Sequence, residues 1–371
     1  MNKSFDSLER YSVDLASRSL GLMIFEITSF AVLQFMTITG NVLTMYIIWK
    51  APKLRSTSNY FIACLAISDL GMGILSEHLL LATLIISRWP FNEAVCQYQG
   101  IVAITMAAAS TQTLAWTALN RYFKIVKTKY YTKVFTKWKL IAILSFIWIS
   151  SILANCPYLL AGYKFVFHPG KFFCYLTLDV TWFTAFLVSI YVGIPSAVIV
   201  FCYFKVFKTV RRHNSNISKT RETGVLSVEE LKVTRTLFLI VVVFMGCWTP
   251  ILIMDLIDTV RGRWSLSRSA YTAYTFLGTM SSAVNPFIYA FGNHAFKEEY
   301  RKVLNFSWGS VRKMFCWVRN RAHAGSVSSL AIEQPRQVNV NKKISIQVQI
   351  VNDINEVCHE QQEKFSVELN L

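Results

Sequence analysis

Charge is what this chain has least of. Asp, Glu, Lys and Arg make up 16% of its 371 residues, against roughly 25% in ordinary soluble proteins. Acids are the scarcer sign, 21 against 38 Lys and Arg, for a formal net charge of +17. Proline and glycine are sparse, at 8 and 15, which excludes collagen-like and low-complexity architectures. No pair among the 8 cysteines has zinc-site spacing. A metalloprotease helix would need His-Glu-x-x-His, and His359-Glu360 lacks the second histidine. Hydrophobicity fills the gap: 53% of residues, with a mean hydropathy of +0.38.

That hydrophobicity is gathered into long runs. Seven apolar segments lie near Leu22–Trp49, Asn59–Ile86, Gln97–Tyr122, Trp138–Leu160, Trp182–Phe207, Thr234–Thr259 and Ala270–Phe291. Each is long enough to cross a bilayer as a helix, which takes about 20 residues. The segments lack the short alternating pattern of barrel strands. The first 20 residues carry Asp6, Glu9, Arg10, Asp14 and Arg18. They do not read as a cleavable signal peptide, so the first span serves as the signal anchor. The connections holding Lys50, Lys53 and Arg55, Arg121 through Lys139, and Lys205 through Arg235, together with the tail after Asn293, hold 29 of the 38 basic residues. The positive-inside rule then puts the N-terminus outside and the C-terminus inside a plasma membrane. The +17 is a topology signal that favours anionic lipid and needs no nucleic acid. The expected fold is an all-α membrane protein, a seven-transmembrane helix bundle with an amphipathic inner-leaflet helix after the seventh span. Phe296, Tyr300, Val303 and Leu304 share one face of that helix. Residues 1–21 form an extracellular N-terminal tail and 22–291 the bundle. Residues 292–321 hold the amphipathic helix and a basic juxtamembrane segment, where Cys316 is a candidate for acylation. Residues 322–371 form a disordered cytoplasmic tail.

Only two of the cysteines, Cys96 and Cys174, fall on the outer, oxidising side, which makes them a disulfide candidate. Cys64, Cys156, Cys202 and Cys247 sit in spans; Cys316 and Cys358 face the cytosol. Polar groups inside spans are costly and mark function. Here they are Asn41, Asp69, Ser110 and Asn285, and Asp69 is the deepest charge. Arg121 closes the third span at the inner face, where the bland reading is an arginine snorkelling to the lipid boundary. Pro157, Pro195, Pro250 and Pro286 interrupt spans, and Pro250 just after Trp248 suggests a pivot.

The residues then line up in a recognisable order. Gly40-Asn41-Val42 is followed by Leu65-Ala66-Ile67-Ser68-Asp69, Cys96, Asn120-Arg121-Tyr122 and Trp148. Next come Pro195 with Tyr203, then Phe244 through Pro250, and Asn285-Pro286-Phe287-Ile288-Tyr289. Over residues 22–304 the chain resembles rhodopsin-like (class A) G protein-coupled receptors. That resemblance implies a receptor without enzyme activity, coupling an extracellular small ligand to a heterotrimeric G protein. It also implies arrestin and receptor kinases acting on the tail. A seven-span channel or transporter is the alternative, but no inverted repeat or charge-lined pore is visible.

The resemblance also assigns roles. Arg121 is the inner-face arginine; Asn120 stands where its acidic neighbour is usual, and Glu230 is the acid expected to pair with it. Tyr122 completes that triplet. Tyr203 and Tyr289 match tyrosines that swing toward the arginine, and Pro286 follows Asn285 in the seventh-span motif. Phe244 and Trp248 match an aromatic switch. Asp69, Ser110, Ser282 and Asn285 match an allosteric sodium pocket. Asn2-Lys3-Ser4 is a glycosylation sequon. Ala103 stands where aminergic relatives carry Asp, so the usual anchor for a biogenic amine is missing. Thr279 stands where opsins carry lysine, so no retinal is expected. The Asn-Arg-Tyr triplet, Phe201-Cys202-Tyr203 and the Pro-Gly loop before Cys174 are similar to melatonin receptors. Tyr158, Leu178, Tyr191 and Pro286 depart from that pattern, which marks a divergent relative. The implied ligand wall holds Ala103, Met106 and Ala107, with Trp248 as floor and Leu252 and Asp255 above it. Tyr191 and Tyr274 form the sides, and Glu77 and His78 the rim. Glu77 and Asp255 are the acids available to a cation. A small apolar or aromatic agonist is expected, ahead of a short peptide.

Overall fold

The computed structural model describes residues 2–177, 181–217, 228–303 and 305. Side chains at 2–5, 181, 213–217 and 228–231 are outside that description. Leu178, Leu304, Cys316, Cys358, the tail beyond 305, and the side chains of Asn2 and Glu230 therefore lie outside the described residues.

Among the described residues, helices predominate and β1 and β2 form one small hairpin. α1 (Asn2–Ala16) is followed by the first span, α2 (Leu20–Lys50). The second span is α3 (Thr57–Leu75) with α4 (Glu77–Ile86), and the third is α5 (Glu93–Ile125). A short α6 (Thr128–Val134) precedes the fourth span, α7 (Lys137–Leu153) with α8 (Cys156–Leu160). Strands β1 (Val166–His168) and β2 (Phe173–Tyr175) pair antiparallel in the next loop. The fifth span runs through α9 (Thr181–Leu187), a π-helical turn (Val188–Gly193) and α10 (Ile194–Ile217). α11 (Val228–Arg261) and α12 (Arg268–Gly292) complete the bundle. Helix starts are set by side-chain oxygens taking orphan amides: Asn92 accepts from Val95 N–H, and Ser267 from Ala270 N–H. The chain breaks just before Pro157, but α11 and α12 continue through Pro250 and Pro286.

Among the described residues, six helices are apolar and long enough to cross a membrane, and α12 is not one of them. Its 25 residues are long enough. Thr275, Thr279, Ser281, Ser282 and Asn285 lower its hydropathy, and all five are buried. A helix that turns polar groups into the bundle needs fewer apolar ones. Phe25, Phe35, Trp49, Phe146, Ile149, Phe201 and Phe204 are exposed on the bundle's outside, where hydrocarbon rather than water would cover them.

α5 is the central helix, packed on α3, α7, α10 and α11. Gly40 lets α2 close on α12, since a Cβ there would stand 2.7 Å from Pro286 Cγ. Beside it Asn41 Nδ2 bridges to the Ser282 carbonyl at 3.3 Å. Residues 294–300 are helical again. The amphipathic face begun at Phe296 and Tyr300 packs inward rather than only onto lipid. Phe296 lies 5.7 Å from the Tyr289 ring, and Tyr300 shares a 2.6 Å hydrogen bond with Thr44.

Residues 1–21 hold more structure than a tail. Tyr11 and Leu15 on α1 are buried. Tyr11 O–H donates to the Leu266 carbonyl at 2.7 Å, and its ring stacks on His168. Leu15 packs with Phe30, Leu80, Leu84 and Phe172. Arg18 pairs with the buried Glu26, which also takes Arg268 at 2.7 Å. A short segment is thus fastened to α2 and α12.

Candidate functional site

The hairpin loop is the first thing the bundle positions. Cys96, at the start of α5, is disulfide-bonded to Cys174 in β2. Gln99 reinforces the junction, accepting from Cys174 N–H at 3.0 Å. Gly100 one turn on admits Phe165, where a Cβ would come within 2.3 Å of the ring. The hairpin therefore lies across the end of the bundle with its turn pointing inward.

Beneath it is a cavity of about 190 Å³ between the helices. Ala103, Ala107, Tyr191, Trp248, Leu252, Asp255, Tyr274 and Glu77 all line it. Two expected wall residues do not. Met106 lies one position off the cavity stripe of α5, and its sulfur occupies the space beside Gly71. His78 is exposed on the outside of α4, because its neighbour Glu77 holds the inward position. Trp248 stacks on Phe244 and donates its ring N–H to Ser281 at 3.2 Å. Tyr158 is absent from the cavity: it is buried against Phe165 and Phe183 under the hairpin.

One acid of the cavity is already paired. Lys171, in the turn between β1 and β2, is fully buried, and its Nζ lies 3.0 Å from Asp255 Oδ1. Tyr175 and Tyr274 donate to Asp255 Oδ2 at 2.8 and 2.9 Å. The same Nζ stands 3.6 Å from the Tyr175 ring centre and 3.9 Å from that of Tyr274, within cation–π range. Burial pushes the Lys171 ammonium below its usual range, and Asp255 opposes that shift. Burial raises Tyr175 well above its ordinary value, with Asp255 adding to it. His168 is held well below its usual range by burial and then by the Lys171 charge. Its Nδ1 accepts Lys171 N–H at 3.1 Å. Sequence reasoning missed Lys171, Tyr175 and His168. The one available signal was the nearness of the Pro-Gly turn to Cys174, which ties the turn to the bundle.

Glu77 is the other acid. It is 5% exposed and lines the cavity, and neither carboxylate oxygen has a hydrogen-bond partner.

Deeper, Asp69 Oδ2 accepts from Asn285 Nδ2 at 2.8 Å, and Ser110 shares a 2.9 Å hydrogen bond with Ser68. At the opposite end from the hairpin, Arg121 is 1% exposed. It does not snorkel: it donates to Ser58 Oγ, which itself donates to Asn120 Oδ1 at 2.9 Å. Asn120 thus reaches the group that holds the arginine, because the amide oxygen still accepts where an acid is missing. Tyr203 and Tyr289 are buried with hydroxyls that make no hydrogen bond. Tyr122 packs against Phe201.

Sequence comparison agrees with this architecture. The chain is 26% identical to the mouse melatonin receptor type 1B over 277 residues, covering 74% of this chain and 76% of that one. It is 25% identical to the sheep melatonin receptor type 1A over 271 residues, 72% and 74% of the two chains. It is 28% identical to the sheep adenosine receptor A3 over 277 residues, 72% and 85% of the two. Residues 40–289 match the 7 transmembrane receptor (rhodopsin family) model. With its helix bundle, its disulfide-held hairpin and Asn-Arg-Tyr at the opposite end of the bundle, the chain belongs to the rhodopsin family of seven-transmembrane receptors, multi-pass membrane proteins that pass ligand binding on to a G protein and are not enzymes.

Proposed function

We propose that a small extracellular agonist enters the cavity under the hairpin and drives coupling through Trp248, Tyr203, Tyr289 and Arg121. The observation that carries this reading is the cavity itself, a mostly apolar space between helices with a few polar groups on its walls. Its volume of about 190 Å³ is little more than the roughly 150 Å³ engineered cavity that accepts benzene. A compact ligand fits; a peptide would have to remain outside. Identities of 25–28% to receptors named for melatonin and adenosine do not carry either ligand over to this chain.

The inner face carries the coupling residues in this reading, with the N-terminus outside. The charge asymmetry supports that orientation, as does an oxidised disulfide at the α1 end. Arrestin and receptor kinases would act on the tail. Sodium is the one metal that the residues suit. Asp69, Ser110, Ser282 and Asn285 are all buried and offer oxygen donors with a single carboxylate, as a hard monovalent cation requires. Among the described residues, no cluster of His, Cys, Asp and Glu offers a transition-metal alternative.

The test is a screen of small molecules on cell membranes, reading guanine-nucleotide exchange on several G proteins. Ala103→Trp should abolish the response to hits by filling the cavity. Arg121→Ala should abolish exchange while leaving hit binding intact. Hits that act undiminished on Ala103→Trp place the agonist elsewhere.

A further inference from the structure

The cavity's two acids are in opposite states. Asp255 is saturated by Lys171, Tyr175 and Tyr274. Glu77 is 95% shielded from solvent and has no hydrogen bond to either oxygen. Nothing around it supplies one. Its neighbour Ser76 gives its carbonyl to Gln99 Nε2 at 3.2 Å, so the polar group of α5 nearest this turn is already engaged. α5 brings Ala103 and Ala107 to the cavity, whose small side chains contribute no donor.

A buried carboxyl without a partner is costly. Bundles keep such groups where something arrives to satisfy them. An ammonium does so with several donors, and its charge matches the acid. Asp255 cannot play that part, because the chain's own lysine already does. Lys171 also shows what the cavity's outer end accepts: an ammonium on an alkyl stem, capped by tyrosine rings. The cavity also offers a second acid, Glu77, with Trp248 and Phe165 as aromatic surfaces in the same lining.

We propose that Glu77 is the ligand's charge anchor, and that the ligand is a compact organic monocation: a protonated primary or secondary amine on one apolar or aromatic body. The proposal rests on the reading that the agonist occupies this cavity, and it names the ligand's chemistry. The body lies toward Trp248 and the ammonium toward α4. A free inorganic cation is disfavoured by walls that offer one carboxylate among mostly apolar groups. An arginine-bearing peptide is disfavoured by the volume.

The experiment uses purified full-length receptor in lipid nanodiscs without G protein. Thermal midpoints are measured with phenethylamine, tryptamine and cyclohexylmethylamine, each against its neutral counterpart: 2-phenylethanol, tryptophol and cyclohexylmethanol. At least one amine should raise the midpoint at a concentration where its alcohol does not. Glu77→Gln should raise the amine concentration needed by about tenfold or more, whereas Glu93→Gln, at an exposed acid outside the cavity lining, should leave it within about threefold. Equal stabilisation by alcohols, no stabilisation by any amine, or full amine binding to Glu77→Gln overturns the proposal. The comparison of amine with alcohol on the unmodified receptor decides the matter even where Glu77→Gln does not fold. The same probes run in the nucleotide-exchange screen separate the two readings. Amines that bind through Glu77 without promoting exchange sink the agonist reading. Neutral agonists that lose activity on Ala103→Trp keep the cavity and sink the cation.

Discussion

Replacing Lys171 by methionine removes an ammonium and keeps most of its stem. Asp255, whose side chain is 11% exposed, would then lie in the bundle without its cation. Breaking a buried pair from one side costs about 3–5 kcal/mol, most of it from the charge left behind. Tyr175 and Tyr274 still donate to Asp255, and each hydrogen bond to a charged group keeps about 1.5–3 kcal/mol. That holds the loss near the lower limit, at about 3 kcal/mol. Loss of the contacts with two tyrosine rings adds about 0.5–1 kcal/mol each. Thermal unfolding of the purified receptor should show Lys171→Met clearly below the unmodified protein. The double variant Lys171→Met with Asp255→Asn should recover at least half of the difference, because both charges are gone. Coupling between the two changes is the decisive quantity. If Lys171→Met unfolds at the unmodified midpoint, or if the two single effects simply add, the buried pair does not hold the hairpin and the argument fails.

Other outcomes follow from the same geometry. Cys96→Ser frees a loop closed over 78 residues and should cost about 2–5 kcal/mol, read as loss of surface receptor by flow cytometry; normal surface delivery would contradict it. His168 is neutral in the fold, with its value depressed, whereas the unfolded chain binds a proton near pH 6.5. The unfolded state therefore holds more protons below that pH. Stability should fall on acidification by up to about 1.4 kcal/mol per pH unit from this group, and His168→Asn should flatten that limb of a midpoint-versus-pH curve. Asp69→Asn should remove any effect of sodium on agonist affinity, measured by competition binding in sodium against potassium; identical titrations of the two forms would end the sodium assignment.

Much of the architecture was legible in the chain because the bilayer imposes simple rules. Length and apolarity mark spans, and Lys and Arg gather on one side of them. The seventh span shows where that logic strains: α12 is recognisable by its Asn-Pro-x-x-Tyr motif, while its hydropathy is diluted by buried Thr and Ser. The Cys96–Cys174 pairing was legible for a similar reason, since these are the two cysteines that lie outside the spans on the side the basic residues avoid. Wall residues of the cavity were readable by their place on α5, α11 and α12. Met106 and His78 were not, because a single position around a helix turns a side chain by 100 degrees, and only packing settles which of two neighbours faces in.

The remaining features belong to tertiary structure. Lys171 looks like any loop lysine until the disulfide and Gln99 carry its turn to Asp255. Asn120 looks like a lost restraint until Ser58 on another helix joins it to Arg121. The N-terminal segment looks like a polar tail until Tyr11, Leu15 and Arg18 find His168, Phe172 and Glu26. In each case the partners are far apart in the chain, and no local pattern encodes their meeting. The sequence by itself determined that this protein spans a membrane seven times and which residue types lie within it. Only the three-dimensional arrangement decided that one cavity acid is neutralised by the chain itself and the other is left open.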